Sequence, residues 1–196
     1  RSVLEGEAEG DGFNRLVIAS QMHWRQVSVL RAYCKFLQQA NIPFSDRYMA
    51  ESVSRHPGLS RILVELFEAR FDPARGRESS AQRKTAQTAL ENVLRPIFGQ
   101  YCEKDPGLAG YIQDLIDARA RKPSEQADAA RLAFERGLQF VASLDEDRIL
   151  YAFFEVINAT LRTNFFQPAE DGGHKPWISF KIDSGALPEL PRPRPF

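Results

Sequence analysis

The stretch from Asp145 to Phe166, DEDRILYAFFEVINATLRTNFF, constrains this chain more than any other. Its acidic opening suits a helix amino terminus, where Asp145 can cap and Glu146 and Asp147 meet the positive end of the helix dipole. Ile149, Leu150, Phe153, Phe154, Val156, Ile157 and Leu161 then leave almost no polar face. A helix apolar nearly all round has to be covered on several sides, so this one reads as the central element of an assembly. The rest of the chain is mostly amphipathic helix. Part of the cover is therefore expected from polypeptide beyond these residues.

A chain of 196 residues makes one large domain or two small ones and can bury a real core. Its 26 Lys and Arg balance 26 Asp and Glu, and 43% of residues are hydrophobic, as in a soluble globular protein. Without a net positive field the chain does not read as a dedicated nucleic-acid binder. No apolar run reaches the ~20 residues that span a bilayer, and no signal peptide is visible, so the expected setting is cytoplasmic with no membrane association. Cys34 and Cys102 are far apart and belong to no CxxC or Cys/His cluster. They read as free thiols in a reducing compartment rather than a disulfide or metal site. The chain starts at Arg1 without a methionine, which suggests a segment of something longer.

Apolar spacing lays out the helices. An acidic, glycine-rich lead-in reaches Asp11, and a short helix over Gly12–Ser20 would use Phe13, Leu16 and Val17. His23 to Gln39 carries Trp24, Val27, Leu30, Cys34 and Leu37 in one stripe. Asn41-Ile42-Pro43 ends it. Ser45 caps a third helix with Tyr48, Met49 and Val53, stopping at His56-Pro57. A fourth runs from near Leu59 to Phe71, and Asp72-Pro73 breaks it. After a polar, flexible connector from Ala74 to Ser80, a long helix spans Ala81 to Gln100 on Ala86, Leu90, Val93, Leu94 and Ile97. Pro96 should kink or divide it. Gly107–Arg121 gives another helix on Leu108, Tyr111, Ile112 and Leu115. A further one, following the break at Lys122-Pro123-Ser124, reaches Ala142 on Ala127, Ala130, Phe134, Leu138 and Val141. From Pro176 to Asp183 the pattern alternates, with Ile178, Phe180 and Ile182 on one side and Trp177, Ser179 and Lys181 on the other. That is a half-buried strand. The helical remainder offers it no obvious partner, so it reads as the first strand of a sheet whose remainder is missing. The tail from Leu187 to Phe196 is rich in proline and should be extended polyproline II. The fold class is thus mainly α, a multi-helix bundle with one C-terminal strand and an extended Pro-rich tail. Three regions are expected: 1–73, a helical cluster; 74–143, a hairpin-like helical region; and 144–196, the apolar helix with the strand.

Little in the chain carries chemistry. His23, His56 and His174 share no metal-ligand spacing and read as structural or exposed. Gly172-Gly173-His174-Lys175 superficially resembles a phosphate cradle, but a helix precedes it and a strand follows, the reverse of a working cradle. Glu65, Glu68, Asp114 and Asp117 read as solvated helix faces rather than acid/base pairs. Arg119, Arg121 and Lys122 form a basic knot at a helix end, where the dipole favours cations. Pro188–Pro195 reads as a linker in preference to an SH3-type ligand. There is no GxGxxG, GxSxG, HExxH or Walker loop, and no catalytic, cofactor-binding or metal residue is assigned.

Three blocks carry a family likeness: GEAEGDGFNRLV (Gly6–Val17) leading into HWRQVSVLRAYCKFLQQANIPFSDRYM (His23–Met49); HPGLSRILVELFEARFDP (His56–Pro73); and LDEDRILYAFFEVINATLRTNFFQ (Leu144–Gln167) followed by KPWISFKIDSGALPELPRPRPF (Lys175–Phe196). Together they resemble the large bacterial NAD-specific glutamate dehydrogenases. Between about Arg75 and Ala142 the likeness is only that of helical filler. The resemblance implies a helical segment that follows ACT-type regulatory domains and runs into the start of the catalytic region, with Trp177–Ile182 as that region's first strand. It implies a parent enzyme that oxidatively deaminates L-glutamate to 2-oxoglutarate and ammonia with NAD, and that forms a homo-oligomer. The family's catalytic and NAD-binding motifs do not occur in this chain, so the segment alone is expected to be inactive and to need no cofactor itself. The expected partners are the regulatory and catalytic regions of the same chain, with Arg162, Thr163 and Asn164 at the joint. The competing readings are an independent helical adaptor binding a partner through an exposed face of the apolar helix, and a small helical enzyme.

Overall fold

A computed structural model describes residues 12–40 and 42–187. A 3-10 turn at Gly12–Asn14 leads into α1 (Arg15–Ala19), followed by α2 (Trp24–Gln39), α3 (Asp46–Arg55) and α4 (Pro57–Phe71). Next come α5 (Ser80–Lys104), α6 (Pro106–Ala118), α7 (Pro123–Leu138) and α8 (Leu144–Ala159). Two short strands finish the order, β1 (Thr160–Thr163) and β2 (Phe180–Ile182). The chain is mainly α, as its periodicity predicts.

Local chemistry fixes the helix starts. His23 opens α2 with a reciprocal cap: its Nδ1 accepts from the Arg25 amide at 3.3 Å, and its own amide donates to Gln26 at 2.9 Å. Ser79 and Gln82 repeat the device at the head of α5. Ser45 caps α3, and Asp105 caps α6 by accepting from the Gly107 and Leu108 amides. Proline occupies the first helical position of α4, α6 and α7, where its missing N–H costs nothing. Ser143, not Asp145, caps α8.

One hydrophobic core runs from Phe13 to Leu187 through all three sequence regions. In its centre α4 lies along α7, and α8 packs against α2, α3, α4 and α7. Ile149, Leu150, Phe153, Phe154, Val156 and Ile157 are all buried by this chain's own helices. The expectation that the apolar helix needs outside cover is therefore overturned. α2–α4 and α7 leave it no free apolar face beyond Leu144 and Tyr151.

Several boundaries differ from the sequence reading. The apolar helix stops at Ala159 instead of Phe166, because Thr160 turns its hydroxyl back to donate to the Val156 carbonyl at 2.7 Å and the chain becomes extended. Leu161, counted with the buried stripe, is exposed. The strand from the C-terminal segment then has its partner within the chain: β2 pairs antiparallel with β1, in the register Thr160↔Ile182, Arg162↔Lys181 and Thr163↔Phe180, with a bulge between Thr160 and Arg162. The expected alternation holds, since Ile178, Phe180 and Ile182 are half-buried while Trp177, Ser179 and Lys181 are exposed. The outer edges of the two-stranded ribbon stay unpaired among the described residues.

Pro96 does not divide α5, which is assigned as one helix through it. α6 and α7 end a few residues early, at Ala118 and Leu138. The connector read as flexible is pinned by Arg75, which is buried, and forms a turn. Tyr111, placed inward by spacing, is partly exposed. The acidic lead-in and the polyproline tail over 188–196 lie outside the described residues.

Candidate functional site

Two constructions of polar side chains stand out, one inside the bundle and one where α8 becomes β1. The inner one starts from a conflict in α4. Ile62, Leu63, Val64, Leu66 and Phe67 are buried around the helix, so Glu65 and Glu68 have no solvent face to occupy. Glu65 is 3% exposed and accepts from Arg61 at 2.6 Å and from Arg75 at 2.7 Å. The same Arg75 nitrogen reaches Glu68 at 2.6 Å, Gln26 donates to Glu68 at 2.7 Å, and the other Arg75 nitrogen donates to Gln126 of α7 at 2.9 Å. Burial pushes the Glu65 carboxyl up, but Arg75 and Arg61 outweigh it and bring it down to about 2. Glu68 moves the other way, because burial and the neighbouring Glu65 charge outweigh Arg75. The reading of Glu65 and Glu68 as solvated is thus wrong. They share a buried counterion that ties α4, the 72–79 turn and α7 together. Arg61, four residues before Glu65 in an otherwise apolar helix, is the sequence signal that could have shown it.

Arg119 is also not the solvated end-of-helix cation its position suggests. Its two terminal nitrogens hold both oxygens of Glu78, each at 2.7 Å. Asp117 accepts from Gln87 and Gln113, while Asp114 is exposed as expected. Arg121 and Lys122 remain at the surface, and the Arg121 carbonyl accepts from Gln126 at 2.9 Å.

The second construction closes the carboxyl end of α8. A helix end leaves carbonyls without partners. Arg70 of α4 donates to the carbonyls of Ile157 and, at 3.0 Å, Thr160. The Thr160 hydroxyl, which already donates to Val156, receives the phenol of Tyr33 at 2.9 Å. Burial raises the Tyr33 phenol well above its ordinary value. The Tyr33 ring stacks on Phe180 of β2 at 4.3 Å, and Phe67 sits between Tyr33, Phe71, Phe165, Phe166 and Phe180. Arg25 completes the clamp: it donates to the Phe165 carbonyl at 2.5 Å and lies 4.4 Å above the Phe165 ring.

Of the three residues expected at the joint, two serve it. The Asn164 side chain accepts from the Ser179 amide at 2.7 Å and donates to the Trp177 carbonyl at 3.2 Å. Thr163 accepts from the Phe165 amide. Arg162 points outward. Arg25, Tyr33 and Arg70 carry no sequence signal for this role, because their partners are backbone groups or residues far along the chain.

The histidines are separate. His23 caps α2, His56 meets Glu146 at 2.7 Å beside Arg55, and His174 lies exposed in the connection between the strands. Burial raises the Glu146 carboxyl, and the His56 and Arg55 contacts outweigh it, leaving the group below its ordinary value. Gly172 and Gly173 belong to that same strand-to-strand connection, so a strand precedes them where a helix was expected. The correction does not create a phosphate cradle, since no helix opens after them. Cys34 and Cys102 are free thiols. Among the described residues no His, Cys, Asp and Glu cluster is arranged to hold a metal. No helix of the described residues is long and apolar enough to cross a membrane.

Two family descriptions match the chain: "Glutamate dehydrogenase, helical motif 3" over residues 8–73, and "Bacterial NAD-glutamate dehydrogenase, catalytic domain" over residues 133–196. The chain is 36% identical over 193 residues to the NAD-specific glutamate dehydrogenase of Pseudomonas aeruginosa. It is 33% identical over 193 residues to that of Halomonas elongata, and 33% identical over 195 residues to that of Mycobacterium tuberculosis. These alignments cover 98% or 99% of the chain, so likeness continues through the middle region read as filler. The chain spans about 9% of the length of each of these relatives. No solved structure matches it.

Proposed function

We propose that this chain, which belongs to the bacterial NAD-specific glutamate dehydrogenases as one segment of that family's long polypeptide, is the scaffold that holds the beginning of the catalytic region. One observation carries the reading: the two family-matched stretches are not separate bodies. α8, from the catalytic match, is buried against α2, α3 and α4, from the helical-motif match, and Phe180 of the ribbon packs on Tyr33 and Phe67 of the same helices. Arg70, Tyr33 and Arg25 reach from one stretch to the other, as do the contacts of Arg55 and His56 with Glu146. A segment built this way fixes the origin of the catalytic region relative to the helices before it. ACT-type regulatory regions would lie on its amino-terminal side.

The parent enzyme then oxidises L-glutamate to 2-oxoglutarate and ammonia, with the hydride passing to NAD. The described residues of this chain offer NAD no phosphate cradle. Its glycine pair lies between two strands, and every helix from α2 to α8 opens at a proline or a side-chain cap, not at a glycine-rich turn. No catalytic step is assigned to them. The adaptor reading has little support, because the apolar helix exposes only Leu144 and Tyr151 of its large apolar side chains.

The test compares glutamate-dependent NADH formation by the full-length enzyme, by an Arg70→Met version of it, and by this chain alone. The full-length enzyme should be active and the isolated chain inactive, and Arg70→Met should lower the temperature at which activity is lost. Turnover by the chain alone, or unaltered thermal inactivation in Arg70→Met, contradicts the proposal.

A further inference from the structure

The ribbon carries an electrostatic arrangement that the scaffold role does not use. Arg162 of β1 and Lys181 of β2 stand directly opposite each other in the antiparallel register. Like charges in that position destabilise a strand pair. Neither side chain makes an ion pair with any described residue. Both line an open cleft of about 670 Å³ whose wall also includes Lys175 and the half-buried Arg70, and which among the described residues includes no carboxylate. Lys175 is held there by donating to Gln167 at 3.0 Å. Thr163, Ser179 and Trp177, the last 64% exposed, line the same wall.

We propose that this cleft binds a small oxyanion ligand, carrying phosphate or carboxylate groups, between Arg162, Lys181 and Lys175. The physical argument is a comparison of two states. Without an anion, two cations face each other across the two-stranded ribbon with no described carboxylate beside them. With one, the opposed charges become a converging pair of donors. The guanidinium gives a fork that matches either oxyanion, and the lysines add point charge. Phe180 and Thr163 fix the ribbon beneath through the aromatic cluster and the Phe165 amide, so the two cations are presented from a built surface. The volume admits more than a single inorganic ion and less than a macromolecular segment of any length.

The sequence has 2 tryptophans, so a Trp24→Phe background leaves Trp177 as the sole tryptophan, excited selectively at the red edge, to report on the cleft. In that background the protein is titrated with inorganic phosphate, and separately with succinate, against chloride at matched ionic strength. Saturable quenching or enhancement by one of the two, beyond chloride, is expected, and the arm that responds names the ligand class. Arg162→Gln with Lys181→Gln should weaken that response by about tenfold or more, as loss of charge-assisted contacts requires. In the absence of anion each single substitution should raise the melting temperature, because it removes the opposed charge. A structural role for the pair would lower it. Identical chloride, phosphate and succinate curves overturn the proposal, and so does a lower melting temperature for either single variant without anion.

Discussion

Replacing Arg75 by Met is the sharpest perturbation of this molecule. The side chain is buried and supplies hydrogen bonds to Glu65 at 2.7 Å, Glu68 at 2.6 Å and Gln126 at 2.9 Å. Met fills similar space without the charge, so the packing loss is small and the electrostatic loss dominates. Glu65 keeps Arg61, and Glu68 keeps only the neutral Gln26. Breaking a buried pair while leaving its carboxylate behind costs about 3–5 kcal/mol. The pH dependence gives a second reading. In the parent protein Glu65 sits at about 2, below its ordinary 4.5, so its stabilisation is full above the ordinary value and is lost as pH falls from there. Glu68, raised already, should rise further in the variant. The folded variant would then bind more protons than its unfolded chain as pH falls from neutral toward the ordinary carboxylate value, and it would gain stability between those two pH values. Urea denaturation at the two pH values measures both quantities. The deficit should shrink at the lower pH, and adding Glu68→Gln to Arg75→Met should restore part of it. A deficit under about 1 kcal/mol, the scale of an exposed ion pair, or one that does not change with pH, would refute the argument.

Other perturbations read the same packing. Phe153→Ala, in a ring with no exposure, should cost about 3–5 kcal/mol in thermal or chemical unfolding. Gly58→Ala would place a methyl 2.6 Å from the Phe98 ring and should destabilise by about 1–3 kcal/mol. Gly99→Ala and Gly110→Ala meet nothing within 4 Å inside their helices, and each should stabilise by about 0.5–1 kcal/mol. Tyr33→Phe removes one donor to Thr160, whose hydroxyl keeps its bond to Val156, so the loss should be near 0.5–1.5 kcal/mol by urea titration.

Helix existence and the inward residues were legible because a 3.6-residue apolar period fixes a face. Val27, Leu30, Cys34 and Leu37 of α2 and Leu90, Val93 and Leu94 of α5 are buried where the spacing puts them. What escaped were features decided by tertiary partners. Leu161 continues the apolar count of α8, yet Thr160 and the Arg70 clamp end the helix before it, and extended backbone turns Leu161 outward. The strand at 180–182 was visible from its alternation. Its partner was hidden, because Thr160–Thr163 looked like the last turn of a helix. Glu65 and Glu68 mislead because carboxylates at helical spacing resemble a wet face. Only their apolar neighbours and Arg61 speak against it. The joint was half legible: Asn164 is a buried amide that needed partners, whereas Arg25 and Arg70 act on carbonyls that no spacing rule reveals.

The claim that the helical-motif stretch and the start of the catalytic stretch form one body is tested most directly by native-state hydrogen exchange. Amides of α4 and α8 should open together, at one free energy close to that of global unfolding. Exchange of α8 at a distinctly lower free energy, while α4 stays protected, would show two independent units and contradict the account.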